Sequence, residues 1–496
     1  MTSKMTINDI PESLNSKPRT PLPKIKLFTM FRLGLFQMGL GIMSLLTLGV
    51  INRIMIDELT VLPWIAATAI AMYQFVSPAR VWFGQLSDTK PIKGYHRTGY
   101  VWIGAILFTS LAFIALQVVW QLGSSIQATG WSWSSYAWAI LLGVIFGGYG
   151  LALSISSTPF AAMLVDVSDE DNRSQLIGIV WSMLMVGIVV GAIVSSQLLN
   201  TPEICGQAIL SYDPTATTKI ANIPALKATV NPVFIIMPVV VLVMCFLATW
   251  GVESRYSRFG MRSQAVQRED QIGFKDALNV LTASRQTGLF FSFILILTLS
   301  LFMQDTVMEP YGGEVFGMCI SETTQLNAFF GTGTLFGIAS TGFLVVPRLG
   351  KQRTTKLGCI LAVGCFVLIV LAGAFPSQSL LKSGLLFFGL ASGMITAGAT
   401  SLMLDLTVAE TAGTFIGAWG LAQAIARGLS TVLGGVVLNF GKMVFTAPVL
   451  AYGLVFVIQG FGMILAIWLL GKVNIQEFRD NAKSALSVVI EGELDG

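Results

Sequence analysis

One short stretch of the chain places a carboxylate among several cations at the end of an apolar run. Residues 84–88 read GQLSD, and Lys90, Lys93 and Arg97 follow. A carboxylate flanked by cations at the end of a membrane span usually forms an ion pair. It can also accept hydrogen bonds from the free N–H groups at a neighbouring helix start. We therefore predict a conformational latch, the alternative being that Asp88 is a solvated turn residue. The predicted latch residues are Gly84, Asp88, Arg80, Lys90 and Arg97.

The latch prediction also names the surface that Asp88 meets. We expect Asp88 to face the small residues at 411–414, at the start of a later apolar run, while Arg80 or Arg97 holds its carboxylate. Small residues permit such a close approach between helices. Val346 stands at the related position of the second half, so the latch is expected on one side only.

Arg427 is the one cation that falls well inside an apolar run. An isolated charge near the bilayer centre costs at least about 2.5–3.5 kcal/mol, so its side chain must face the protein interior. It is predicted either to meet an anionic ligand or act as a two-state gate, or to form a static ion pair or bonds with carbonyl groups. Its candidate partners are Asp57, Glu58, Asp305 and Glu309.

The other ionisable residues predict neither a metal site nor a catalytic centre. His96 is the only histidine, and the five cysteines show no metal-ligand spacing. Asp166 leads a single cluster of acids, and only Asp405 and Glu410 remain in the related later segment. A prenyltransferase needs two acid-rich motifs to hold a magnesium diphosphate, so we predict that the chain is not an enzyme.

Two cysteines, Cys205 and Cys319, fall in predicted loops on the same side of the membrane. A disulfide between them is chemically permitted in an oxidising compartment. Because the sequence spacing gives no geometric support for a bond, we expect two free thiols.

The elements that position these residues are membrane-spanning helices. Hydrophobic residues make up 54% of the 496 positions and charged residues only 11%, whereas soluble domains carry about 25% charged residues. The surplus apolar surface must face lipid. We predict twelve spans near residues 28–50, 62–82, 100–120, 136–164, 176–199, 232–251, 288–307, 326–346, 355–375, 380–404, 414–440 and 447–470.

Lysine and arginine are distributed very unevenly between the two sides. If both termini are cytoplasmic, 24 of the 30 lie on that side, 5 lie on the other, and Arg427 lies within a span. This bias predicts a multi-pass protein with both termini cytoplasmic. No basic run with interleaved aromatic residues is present, so nucleic acid is not an expected partner.

The two halves of the chain resemble each other at an offset of 239 residues. Residues 163–168 (MLVDVS) align with 402–407 (LMLDLT), which pairs Asp166 with Asp405. Two parallel six-helix pseudo-repeats make up the layout of the major facilitator superfamily. The predicted all-α organisation is a disordered cytoplasmic tail (1–27), an N-terminal bundle (28–251), a cytoplasmic linker (252–287), a C-terminal bundle (288–471) and a second cytoplasmic tail (472–496).

Two motifs resemble a more particular family. Residues 87–100, SDTKPIKGYHRTGY, resemble the SD-x-x-P-[LI]-x-G-Y-x-R-x-x-Y loop of the PucC-type family of light-harvesting-complex assembly proteins, and folate–biopterin transporters carry a related loop. The segment TPFAAMLVD at 158–166, followed by Arg173 and Gly178, looks like PucC and not like the pterin carriers. His96 departs from the family pattern, where an arginine is expected.

The resemblance implies a membrane assembly factor for chlorophyll-binding antenna or photosystem proteins, in a thylakoid or intracytoplasmic membrane. Chlorophyll is the implied cofactor, and its binding is expected to be transient or peripheral because no histidine lies within a span. Glutamines inside the predicted spans are candidate pigment or cavity contacts, although interhelical hydrogen bonding is their commoner role. They are Gln37, Gln74, Gln423 and Gln459. The competing function is a secondary transporter of a small organic solute such as a pterin.

Overall fold

A computed structural model describes residues 25–168, 170–200, 222–257, 285–406 and 412–474. Throughout these ranges the chain is helical, with one isolated bridge between Ile92 and Tyr95. The helices are α1 Leu27–Glu58, α2 Pro63–Phe75, α3 Ala79–Thr89, α4 Thr98–Thr129, α5 Trp133–Val167, α6 Glu170–Leu199, α7 Ile223–Thr249, α8 Val252–Tyr256, α9 Arg285–Phe302, α10 Gln304–Phe316, α11 Ile320–Leu349, α12 Lys351–Ala374, α13 Gln378–Leu406, α14 Ala412–Val444 and α15 Pro448–Lys472.

Eleven stretches within the described ranges are long and apolar enough to cross a membrane as single helices, α9 and α10 together forming one of them. The predicted second span, 62–82, is instead divided into α2 and α3. Pro78 has no N–H with which to continue the helical ladder, and Ser77 and Ala79 donate instead to carbonyls three residues back. Both pieces still pack against α5, so together they complete the set of twelve crossings.

Four helices extend well beyond their predicted spans: α4 continues to Thr129 and not to residue 120, α7 begins at Ile223 and not at residue 232, and α1 and α10 are also longer. The first span was predicted to end at residue 50, but α1 continues to Glu58 and includes π-helical turns at Leu45–Val50 and Ile54–Glu58. The seventh was predicted to end at residue 307, but α10 continues to Phe316. In both cases polar residues at the end of the helix find partners inside the protein, so the helix extends beyond its lipid-compatible segment.

The hydrophobic side chains form two main cores. One contains residues from Ile25 to Tyr256 together with Ile320, and the other contains residues from Phe290 to Val473. The halves meet where α2 packs against α14 and where α6 packs against α11. Gly428 and Gly435 allow the first contact, because a side chain at either position would collide with α2.

The helix bundle has two ends, which we name after the arginines they hold. The Arg97 end contains the loop before α4 and the last turns of α5 and α13. The Arg53 end contains the last turns of α1, α10 and α14. Both ends of the described chain, residues 25 and 474, lie at the Arg97 end, as an even number of crossings requires.

Candidate functional site

The Arg97 end is organised around one buried arginine. Arg97 is only 5% exposed, and its Nη2 lies 2.6 Å from Asp88 Oδ1 while its Nε lies 3.0 Å from Asp166 Oδ2. Its Nη1 also donates to the Ser87 hydroxyl at 2.6 Å. Bonds of this kind between ionised groups are stronger than neutral ones, so Arg97 ties the ends of α3 and α5 to the start of α4.

Glu253, which lies in the short helix α8 after the last span of the N-terminal half, completes this cluster. The Glu253 carboxylate accepts the backbone N–H groups of His96 at 2.6 Å, Arg97 at 3.1 Å and Thr98 at 2.7 Å, and the Thr98 hydroxyl at 2.6 Å. These are the free donors at the start of α4, where a negative charge is also favoured by the helix dipole. Nothing local in the sequence indicated this cap, because Glu253 lies 155 residues from Thr98.

The predicted latch residues are therefore partly brought together. Arg97 holds Asp88, whereas Arg80 lies at the other end of α3, exposed and close to Tyr73 and Arg427. Gly84 packs against Thr158 of α5.

Two further parts of the latch prediction concern Lys90 and the partner surface of Asp88. The carbonyl group of Lys90 accepts the Tyr100 hydroxyl at 2.7 Å, and its side chain is exposed. Residues 407–411 and the side chains of residues 412–419 lie outside the described part of the chain. The contact of Asp88 with them therefore stays a prediction.

The repeat-related acids occupy matching places along their helices. α5 ends at Val167, one residue after Asp166, and α13 ends at Leu406, one residue after Asp405. Asp166 is used by Arg97, whereas the side chain of Asp405 lies outside the described residues.

A small cavity lies between the halves, midway along the bundle. Its volume is about 50 Å³, which is room for one or a few water molecules. Tyr73, Gln74 and Asn52 line it from one half, and Phe302, Asp305 and Arg427 from the other. The Arg427 guanidinium stacks on the Phe302 ring, with its central carbon 4.1 Å from the ring centroid.

Of the four predicted partners of Arg427, only Asp305 shares this cavity. It accepts the side-chain amide of Gln304 at 2.8 Å, and no ion pair joins it to Arg427. Within the described chain, the Arg427 side chain makes no hydrogen bond or ion pair at all, and it is exposed. The static ion pair considered from the sequence is thus not formed.

The remaining candidate partners belong to a second charged cluster, at the Arg53 end. Arg53 is 2% exposed and forms an ion pair with Asp57 one helical turn later, with Glu58 at 3.3 Å. It also donates to the carbonyl of Met318 in the other half at 3.2 Å. Arg53 follows the predicted first span, which ends at residue 50, but the structure places it inside the continuing helix α1. Its four-residue spacing from Asp57 was the available signal for a continuing helix.

More polar contacts join the halves beside this cluster. Asn52 donates to the carbonyl of Thr306 at 2.5 Å. Glu309, 3% exposed, accepts the Asn327 amide at 2.5 Å, and its carboxylate lies against Gly49 of α1. Three of the four candidate partners of Arg427 therefore lie inside the protein along the extended α1 and α10: Asp57 and Glu309 are buried, and Asp305 is half-buried.

The four glutamines differ in their surroundings. Gln74 donates to the Tyr73 hydroxyl at 2.6 Å and lines the cavity, while Gln459 is buried and donates to the carbonyl of Ser300 at 3.1 Å. Gln37 and Gln423 are half-buried. A role for any of them in pigment binding stays a prediction.

Cysteine and metal chemistry are both constrained. The described residues contain no group of three or more histidine, cysteine or acidic side chains placed to hold a metal. The expectation of a free thiol is wrong for Cys319, which is disulfide-bonded, whereas Cys205 lies outside the described residues. Sequence spacing could not reveal the bond, because only the fold brings the start of α11 beside Ser196 and Asn200 at the end of α6.

In the described part of the chain, eleven membrane-length helices and the divided α2–α3 segment form two halves with an interior cavity lined from both, which is the major facilitator fold. The D-xylose-proton symporter has the same fold, with a TM-score of 0.62 at 15% identity, covering 90% of this chain and 97% of the symporter. The chain belongs to the PUCC protein family, whose model matches residues 50–478.

Two relatives from Rhodobacter capsulatus are similar over most of their length. Protein PucC is 29% identical to this chain, and the matched region covers 90% of this chain and 92% of Protein PucC. A second relative, named bacteriochlorophyll synthase 44.5 kDa chain, is 27% identical, and the matched region covers 88% of this chain and 93% of the relative.

Proposed function

We propose that this integral membrane protein assists the assembly of chlorophyll-binding antenna or photosystem proteins and handles pigment during that assembly. The observation that carries the proposal is the match to the PUCC family over residues 50–478, together with similarity to Protein PucC along nearly the full length of both chains. Its site of action would be a thylakoid or intracytoplasmic membrane.

The arrangement at the Arg97 end supports an assembly role. In the family-like loop at 87–100, Arg97 pairs with Asp88 and Glu253 accepts the N–H of Thr98, while the side chains of Lys90 and Lys93 are exposed. A basic surface of this kind suits recognition of acidic segments on a client polypeptide. The excess of lysine and arginine supports a cytoplasmic location for this end.

The cavity supports the handling of a small transient ligand better than the storage of a pigment. About 50 Å³ is far too little for a chlorin ring, and no histidine lies in a described span. Pigment would therefore meet the protein at the open side of the cavity or on its lipid-facing surface. The name of the bacteriochlorophyll synthase relative does not extend to catalysis here, since Asp166 is engaged by Arg97 and not free to bind a magnesium diphosphate.

The proposal is tested by deleting the gene in the organism that encodes it and recording membrane absorption spectra. We expect the antenna bands to fall while other membrane proteins are unchanged, and the bands to return with the wild-type gene. Gently purified protein should carry pigment and antenna or photosystem polypeptides. Unchanged antenna bands together with a colourless preparation would refute an assembly role.

A second candidate function is secondary transport of a small organic solute. The specific observation that favours it is the polar cavity between the halves. Asp305 and Arg427 both line this cavity, and no ion pair joins them. Uptake of a pterin into vesicles containing the purified protein, abolished by Arg427→Gln, would favour transport over assembly.

A further inference from the structure

Two arginines beside the central cavity lack any anionic partner within the described chain. Arg427 makes only its stacking contact with Phe302, and the Arg80 side chain forms no hydrogen bond or ion pair. Both are exposed, and they lie within electrostatic range of each other and of Tyr73.

The balance of charge around the cavity is positive. Asp305 is the only acid that lines it, and it is half-buried and bonded to Gln304. Two guanidinium groups against one carboxylate leave one uncompensated positive charge in a span, which is expensive without a counter-ion. A bound anion would supply the missing charge.

The shape of the site selects the kind of anion. The Arg427 guanidinium lies over the Phe302 ring and makes no hydrogen bond within the described chain, so its N–H groups are available, and a guanidinium matches a carboxylate in a two-point contact. The cavity of about 50 Å³ admits a carboxylate but not a ring. The rest of the ligand must extend out of the cavity on the side where the Arg80 and Arg427 side chains are exposed.

We infer that Arg80 and Arg427 bind the carboxylate of a monoanionic pigment acid, a chlorin whose carboxyl group is free and not esterified. This inference rests on the proposed function and specifies its ligand: an unesterified pigment is bound, and the esterified form, which has no carboxylate, is not. Asp305 opposes the ligand electrostatically and aids its release.

The test uses the full-length protein in phosphatidylcholine nanodiscs, with pheophorbide a and its methyl ester as fluorescent probes. The two probes differ only in the free carboxyl group. We expect the acid to bind and the ester to bind at least roughly tenfold more weakly, the loss expected when one charge-assisted pair is removed. Equal binding of acid and ester would overturn the inference.

Four variants locate the site. Arg427→Gln and Arg80→Gln should each weaken binding of the acid and leave binding of the ester unchanged. Asp305→Asn should strengthen binding of the acid. The control Arg348→Gln, at an exposed arginine near the Arg97 end, should leave binding of the acid unchanged. Arg427→Lys keeps the charge and serves as a second test if Arg427→Gln does not fold. It should bind the acid with intermediate affinity. An Arg427→Gln protein that is folded and binds the acid like the Arg348→Gln control would refute the assignment.

A lipid headgroup is the competing source of anion. Adding phosphatidylglycerol to the nanodiscs should leave binding of the acid unchanged, and displacement that depends on Arg427 would show that the site serves a lipid instead. The outcome is separable from the proposed function. If deletion of the gene lowers the antenna bands while acid and ester bind equally, assembly stands and this inference fails.

Discussion

The side-chain amide of Asn52 donates to the backbone carbonyl of Thr306 at 2.5 Å, and the two residues belong to opposite halves of the molecule. Together with the bond from Arg53 to Met318, this contact closes the bundle at the Arg53 end. Both contacts are made to backbone atoms, so they depend on where the partner helix lies and not on its side chains.

Asn52→Ala should loosen the Arg53 end. The substitution removes a buried hydrogen bond whose loss costs about 1–3 kcal/mol, and it should shift the population towards a state open at this end. Paired spin labels on α1 and α10 should report longer distances. Asn439→Ala, at a half-buried asparagine whose side chain contacts only Met443 of the same helix, is the control; equal distances in the two variants would contradict the prediction.

Arg97→Ala should be among the most destabilising single substitutions in the N-terminal half. It removes the buried ion pair with Asp166, and breaking a buried ion pair typically costs ~3–5 kcal/mol. Arg97→Lys should recover only part of this loss, because lysine cannot reach both carboxylates with one planar group. Thermal unfolding in detergent measures the effect, with Arg348→Ala as the control. Similar melting temperatures for all three variants would show that the cluster is not structural.

Asp88→Asn should behave differently from Asp166→Asn, although both acids bind Arg97. The Asp88 side chain is 49% exposed and that of Asp166 is 9% exposed, so water replaces the first contact far better than the second. We expect Asp88→Asn to cost less than about 1 kcal/mol and still lengthen spin-label distances across the Arg97 end, as the latch requires. Unchanged distances with preserved function would make Asp88 a solvated turn residue.

Glu253→Gln should release the start of α4. The carboxylate accepts four hydrogen bonds there, and a neutral amide loses both the charge and part of the accepting capacity. Hydrogen exchange should accelerate at residues 96–98. Glu322→Gln is a matched control, since Glu322 caps α11 through the N–H of Cys319 and should affect only that helix. Protection of residues 96–98 that survives Glu253→Gln would be the contrary result.

Peptide mapping without reduction should find Cys319 in a crosslinked peptide. Cys245, Cys359 and Cys365 are free thiols, so the partner peptide is expected to carry Cys205. Alkylation of Cys319 in unreduced protein would contradict the bond.

The predictable part of this molecule is the part in contact with lipid. Hydropathy located eleven crossings that the described chain forms as single helices, since apolar runs must match the thickness of the bilayer, but it did not reveal the division of the second crossing at Pro78. It failed at Arg53 and Glu309, where the helices continue because charged groups find partners in another segment. The contacts of Arg53 with Met318 and of Glu309 with Gly49 join residues far apart in the chain and leave no local pattern.

The candidate site shows the same division. The loop motif indicated that Asp88 would meet a nearby cation, and Arg97 lies only nine residues away in the sequence. Arg427 was expected inside a span, but its lack of a carboxylate partner depends on the distance to Asp305, which no spacing rule provides. Glu253 could not be identified at all, because its contacts follow from the packing of α8 beside the start of α4.

The break at Pro78 divides the second crossing into two helices that have different packing partners. α2 packs with the opposite half through α14, while α3 packs on α5 and ends at the Arg97 cluster. The turn between them lacks a continuous hydrogen-bond ladder, so bending there moves one piece without dragging the other. Arg80 lies just beyond this turn. Motion at the Arg97 end would therefore reposition Arg80 relative to Arg427 while the packing of α2 on α14 is preserved, which makes Pro78 a hinge between the Arg97 end and the interior cavity.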